Sequence, residues 1–142
     1  MDAEIDRLVA VNLTSPARLH RDLLPESHKG ARILFLTSIA GERGSFGTLY
    51  AITKGALIPL AKSLATWLGA RVTVKVVAPG AIEDSSMLCD MSAARIAHHR
   101  GPTPIGELLN CSDLAQILVD LAYPHWHHSN GAVFRINGGS DV

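Results

Sequence analysis

The chain has 142 residues, 47% of them hydrophobic and 18% charged, with 13 basic and 13 acidic side chains in balance. That length suits one domain with one core, and the composition excludes a disordered chain. A net charge of zero provides neither the basic stripe of a nucleic-acid binder nor a polybasic patch for an anionic membrane. Cys89 and Cys111 lack the spacing of a metal site or a redox motif and point to a reducing compartment. The first residues, MDAEIDRL, carry charge where a signal peptide carries an apolar stretch, and no apolar run reaches the length of a membrane span. The expectation is a cytoplasmic protein.

In chain order, Ile5, Leu8, Val9, Asn12, Leu13 and Leu19 recur near helical spacing and predict one helix from Asp2 to about Leu24. Pro16 interrupts it. Proline has no N–H, so the hydrogen bond to the carbonyl of Asn12 is lost, and that carbonyl is open to another donor such as water. The alternative is a kink that only shapes packing. Ala31 to Thr37 holds the apolar run Ile33-Leu34-Phe35-Leu36 without alternation, which predicts a strand buried on both faces. Gly41, Gly44 and Gly47 predict a flexible loop. A helix follows from about Thr48 to Leu68, with Leu57, Leu60, Ala61, Leu64 and Leu68 as its apolar stripe and Lys62 and Thr66 on its wetter side. Pro59 inside it predicts a mild kink by freeing the carbonyl of Gly55.

Valine-rich Arg71 to Ala78 reads as a second strand, ended by Pro79-Gly80. Ser85 to His99 reads as a mobile segment, helical in part. Ser112 reads as the N-cap of a helix to about Tyr123, with Asp113 in its first turn and Pro124 as its stop. After a turn at Ser129-Asn130-Gly131, Ala132 to Ile136 makes a third short strand. Strands alternating with helices imply an α/β fold with parallel pairing and right-handed crossovers. Three strands make a thin sheet, and an apolar edge on it is a liability for association.

Tyr50 and Lys54 stand four residues apart on a predicted helix, so both polar heads share one face. Ser38 follows a strand at its carboxyl end, where ligands bind in open α/β sheets. SIAG from Ser38, YAITK from Tyr50 and VVAPG ending at Gly80 stand in this order, with NGG from Asn137 near the terminus. Together they resemble the short-chain dehydrogenase/reductase family, in the C-terminal half of that family's domain. The resemblance implies a single domain over residues 1–142: a partial Rossmann-like parallel sheet, three strands with flanking helices, lacking the N-terminal Gly-rich dinucleotide turn. It implies hydride transfer between NAD or NADP and a small-molecule carbonyl or alcohol. It assigns catalysis to Asn12, Ser38, Tyr50 and Lys54, and cofactor binding to Tyr50, Lys54, Pro79, Gly80 and Ile82. It also implies a homo-oligomer paired through the helix from Thr48 to Leu68, with no nucleic-acid or membrane partner. A truncated, non-catalytic relative acting as a dimerisation module is the alternative.

Each role has a chemical reason. A free phenol has a pKa near ~10, and a cation nearby favours its phenolate. Lys54 is placed to be that cation for Tyr50, the acid/base. Ser38 would fix the substrate oxygen near Tyr50. Asn12 would hold a water on its carbonyl and pass protons towards Lys54. The bland reading of Tyr50 is a packing aromatic. The chain also departs from the family pattern. The interval from Ser38 to Tyr50 is one residue short. Asp84 stands where a cofactor-binding threonine is common, and Glu107 where an arginine is common. The glycines of GERGSFG, from Gly41 to Gly47, follow the wrong strand to be a dinucleotide turn, so cofactor binding by this chain alone is expected to be poor. Met87, Leu88 and Met91 read as a lid or pocket lining that would set substrate choice. His98, His99, His125, His127 and His128 lack Cys or carboxylate partners at metal-ligand spacing and read as solvated loop residues, with no metal site assigned.

Overall fold

A computed structural model describes residues 2–140; Met1 and residues 141–142 of the expected domain lie outside the described residues. The chain opens with α1 (Asp2–Val9), a π-helical turn over Ala10–Thr14, and α2 (Ser15–Leu23). Strand β1 (Ala31–Leu36) leads through α3 (Ala40–Arg43) and α4 (Thr48–Gly55) to α5 (Leu57–Leu68). Strand β2 (Val72–Pro79) is followed by α6 (Ser86–Cys89), α7 (Ala93–Arg100) and α8 (Cys111–Leu121). A 3-10 segment over Pro124–Ser129 precedes β3 (Val133–Ile136).

The three strands form one parallel sheet in the order β1-β2-β3. Ile33 stands opposite Val74, Phe35 opposite Val76, and Val77 opposite Phe134. Side chains alternate across a strand, so β2 feeds two cores. Val72, Val74 and Val76 pack with Phe35 against Leu57, Ala61 and Leu64 of α5. Val77 packs on the other face with Leu114 and Leu121 of α8, alongside Phe134 and Trp126. Each buried valine or leucine contributes roughly 1.5–3 kcal/mol relative to exposure. Asn130 ties these layers together: its Oδ1 accepts from Val74 N–H at 2.7 Å and its Nδ2 donates to Ala65 O at 3.1 Å.

The parallel α/β sheet matches the expectation, and several local details differ. The first helix is three pieces rather than one. The N–H of Ser15 bonds the carbonyl of Ala10, five residues back, so the chain meets Pro16 with a widened turn instead of a simple kink. Strand β1 is not buried on both faces: Arg32 and Leu36 are exposed, because β1 is an edge strand and α8 packs over Val77 and Phe134 of its neighbours. An apolar run shows that a strand favours burial, not what is present to cover it. The expected loop after Ser38 begins as the helical turn α3. The long helix from Thr48 to Leu68 is broken at Ala56 into α4 and α5, three residues before Pro59, where the carbonyl of Gly55 has no proline N–H to accept. Between Ser85 and His99 lie α6 and most of α7. The N-cap of α8 is Asn110 rather than Ser112; its side chain accepts from the N–H of Asp113 at 2.8 Å. Pro124 does not end all helical structure but opens the 3-10 segment that carries His125, His127 and His128.

Candidate active site

The helix α4 presents Tyr50 and Lys54 on one face, with the Lys54 ammonium 5.9 Å from the centre of the Tyr50 ring. Both side chains are partly buried, and burial holds the Lys54 amine below its ordinary range. Lys54 Nζ donates to the carbonyl of Leu36 at 3.1 Å. Two buried threonines fix the backbone around this pair. Thr37 Oγ1 donates to the Lys54 carbonyl at 2.6 Å, and Thr53 Oγ1 donates to the Tyr50 carbonyl at 3.0 Å. Thr53 Oγ1 also accepts from Asn12 Nδ2 at 3.3 Å, which joins the π-helical turn to α4. A widened turn is a common way to aim one side chain off the regular helical track.

Ser38 lies two residues beyond β1. Its Oγ accepts the N–H of Ala40 at 3.2 Å, a local turn that starts α3. Helix α3 is pressed onto α4 at two glycines. A Cβ on Gly41 would lie 2.6 Å from Gly55 N, and a Cβ on Gly55 would lie 2.7 Å from Gly41 O. Glycine is needed at both positions for this backbone approach, which sets the distance between the Ser38 turn and the Tyr50 helix. The N–H of Ile39 bonds the carbonyl of Pro79 at 3.1 Å, and the N–H of Gly80 bonds Ile136 O at 2.9 Å. The ends of all three strands therefore converge beside α4.

The structure thus connects Asn12 to Tyr50 through Thr53, and Ser38 to Lys54 through its neighbour Thr37. Pro79 and Gly80 are in the same rim. Ile82 lies farther along, bridged to Leu109. Of the expected lid residues, Met87 is exposed and Leu88 is buried. Thr37 and Thr53 were not singled out in the sequence, since their only signal is a small hydroxyl next to Ser38 and Lys54. Among the described residues no group of three His, Cys, Asp or Glu side chains gathers that could hold a metal ion. Among them, too, no helix is long and apolar enough to cross a membrane.

The family model described as "Enoyl-(Acyl carrier protein) reductase" matches residues 1–141. The chain belongs to the short-chain dehydrogenase/reductase family. It is 32% identical to an uncharacterized oxidoreductase of Bacillus subtilis, YmfI, over 97% of this chain and 58% of that protein. A short-chain dehydrogenase/reductase from Brucella melitensis superposes with a TM-score of 0.93 at 27% identity, covering 100% of this chain and 58% of its own. A 3-ketoacyl-(acyl-carrier-protein) reductase from the same organism, complexed with NADH, gives 0.89 at 27% identity, covering 100% and 60%. The chain therefore spans under two thirds of the length of these relatives.

Within this short-chain dehydrogenase/reductase chain, one departure from the family pattern, Asp84, has a local structural role. Asp84 Oδ1 accepts the N–H of Cys111 at 2.7 Å, so its carboxylate occupies the N-terminus of α8. That bond holds the Asp84 carboxyl below its ordinary value, and the carboxylate in turn pushes the Cys111 thiol up. Gly41, expected in a loose loop, is a packing glycine. Lys75 is 1% exposed in the middle of β2, with its ammonium on the Leu121 carbonyl at 3.0 Å.

Proposed function

We propose that the protein is an NAD(P)-dependent oxidoreductase that moves a hydride between a nicotinamide and a small carbonyl or alcohol, in concert with the remainder of the family's domain. The observation that carries this reading is the Tyr50–Lys54 pair on one face of α4, beside the carboxyl ends of three parallel strands. It is supported by the reductase relatives and by the NADH-bound neighbour.

The residues present fit the nicotinamide and ribose end of such a cofactor. Lys54 offers an ammonium for hydroxyls, and Pro79, Gly80 and Ile82 offer a rim at the strand ends. The phosphate end finds no such cradle among the described residues. Gly41 is packed on Gly55, and the first N–H groups of α8 already bond Asp84 and Asn110. When bound, the nicotinamide supplies or accepts the hydride. Tyr50 gives its phenolic proton to the substrate oxygen as a carbonyl becomes an alcohol, and takes it back in the reverse direction. The Lys54 cation favours the phenolate left behind. Ser38 holds the substrate oxygen. Asn12, anchored on Thr53, orders the proton path behind Lys54. Two cysteines without a disulfide support a cytoplasmic setting.

Fluorescence titration with NADH and with NADPH tests the cofactor half of this reading. The chain alone is expected to bind weakly, and binding is expected to tighten when the rest of the domain is supplied. In that completed form Tyr50→Phe is expected to lower kcat by about 10²-fold or more while thermal unfolding is unchanged. Full turnover by the variant would overturn the assignment.

A second reading is favoured by the outer side of α4 and α5, where Ile52 is 62% and Trp67 75% exposed. These helices pair with a second copy in a homo-oligomer, whether or not the site turns over. A monomer by light scattering at high concentration would exclude it.

A further inference from the structure

Cys89 and Cys111 are both exposed thiols, and no step of the hydride-transfer reading uses either. Cys89 ends α6, and Cys111 begins α8. The fold brings them near because the segment after β2 runs beside the segment before α8. Ile82 is bridged in parallel to Leu109, and the N–H of Glu83 bonds Leu109 O at 2.8 Å. One residue on, Asp84 Oδ1 accepts the N–H of Cys111 at 2.7 Å. Cys89 stands one helical turn past this contact, with its N–H on the carbonyl of Ser85 at 2.9 Å. The Asp84–Ser85 step thus touches Cys111 on one side and lies one turn from Cys89 on the other.

The two thiols are also within electrostatic reach of each other. The Cys111 thiol is pushed up first by its hydrogen bond to Asp84, and last by Cys89. A disulfide asks for Cα atoms about 4.4–6.8 Å apart. Cys111 is fixed by Asp84 and by the eleven residues of α8 behind it. Helix α6 has four residues, with Leu88 as its buried side chain and the Ser85 hydroxyl as its cap. The adjustment that a bridge requires falls on this single turn.

We propose that Cys89 and Cys111 form a reversible intramolecular disulfide when the chain meets a disulfide oxidant such as oxidised glutathione, a modification site that ties α6 to the first turn of α8. Asp84 holds the Cys111 thiol protonated, so the first attack falls to Cys89. The Cys89 thiolate attacks one sulfur of the oxidant, forms a mixed disulfide and expels one glutathione thiolate. Cys111 then gives its proton to solvent and attacks the Cys89 sulfur, expelling the second glutathione. Two protein thiols are oxidised, and one glutathione disulfide is reduced to two thiols. The bridge fixes the turn that carries Met87 and Leu88. This inference goes beyond the hydride-transfer reading and stands without it.

Mass spectrometry of the 142-residue chain after equilibration with oxidised and reduced glutathione reads the bridge directly. The expected product is a monomer lighter by two hydrogen atoms that retains no glutathione. Trypsin cuts at Arg95 and Arg100, between the two cysteines, so the bridge appears as one linked pair of peptides. Cys89→Ser and Cys111→Ser are each expected to retain one glutathione on the remaining thiol. A wild-type chain that retains glutathione on both cysteines, that links to a second copy, or that does not react overturns the proposal. The same equilibration in urea tests whether the fold brings the pair together. The bridge is expected to be favoured about tenfold or more in the folded chain over the unfolded one. Equal ratios overturn that reading. Asp84→Asn removes the carboxylate that keeps Cys111 protonated, and is expected to speed closure of the mixed disulfide about threefold or more. An unchanged rate overturns the role given to Asp84. None of these measurements involves a nicotinamide, so failure here and failure of the proposed function are seen separately.

Discussion

Lys75 is a charged side chain at the centre of a valine-rich strand. Its neighbours along β2, Val74, Val76 and Val77, are fully buried, and so is its own stem. Burial lowers the amine's pKa from its usual 10.5, and the charge of Arg32 lowers it further. The sign follows from linkage. The native state binds its proton less tightly than the unfolded chain, so stability rises with pH from the lowered value up to the ordinary one. Lys75→Met keeps the length of the stem and removes the buried charge. It is expected to stabilise the chain by about 1–2 kcal/mol at neutral pH, less the lost bond to Leu121 O. The gain should shrink as the pH approaches 10.5. Urea unfolding at several pH values measures both parts, and a gain independent of pH would show that charge is not the cause.

Asn130 acts between elements. It sits in the turn before β3 and bonds the N–H of Val74 in β2 and the carbonyl of Ala65 in α5. One amide side chain satisfies a strand donor and adds a second donor to a helix carbonyl that the N–H of Gly69 already bonds at 3.2 Å. Asn130→Ala removes both bonds and leaves the Val74 N–H without its acceptor, while the Ala65 carbonyl keeps its bond from Gly69. A loss of about 1–3 kcal/mol is expected in urea unfolding. The glycine contact between α3 and α4 is the other element-scale device, and it bears on the site more than on the core. The order Ser, Tyr, Lys was legible in the sequence because i and i+4 share a helix face in any helix. The contact that brings Ser38 to that helix was not, since Gly41 and Gly55 are fourteen residues apart and look like ordinary flexible positions.

The whole molecule is a sheet with apolar surface left over. Leu36 lies exposed at the edge of β1, and Ile52 and Trp67 lie exposed on α4 and α5. Exposed apolar surface of this kind is a candidate contact surface. If α4 and α5 form the pairing face, Trp67→Glu is expected to shift the chain to a lighter species in light scattering, at unchanged helix content. A mass that does not change would place the contact elsewhere, with the β1 edge as the next surface to test. The sequence by itself determined the α/β class, the parallel strands, the positions of Ser38, Tyr50 and Lys54 on their elements, and a disturbance of the helix near Pro59, though not its division at Ala56. These follow from rules that act within a few residues: side-chain periodicity, the missing proline N–H, and the helical repeat. Only the tertiary structure decided that β1 is an edge, that Asn12 reaches Thr53, that Asp84 caps α8, that Lys75 is buried, and that Lys54 rests on Leu36. Each of these depends on which segment covers or borders another, which burial and hydrogen-bond satisfaction across distant parts of the chain determine together.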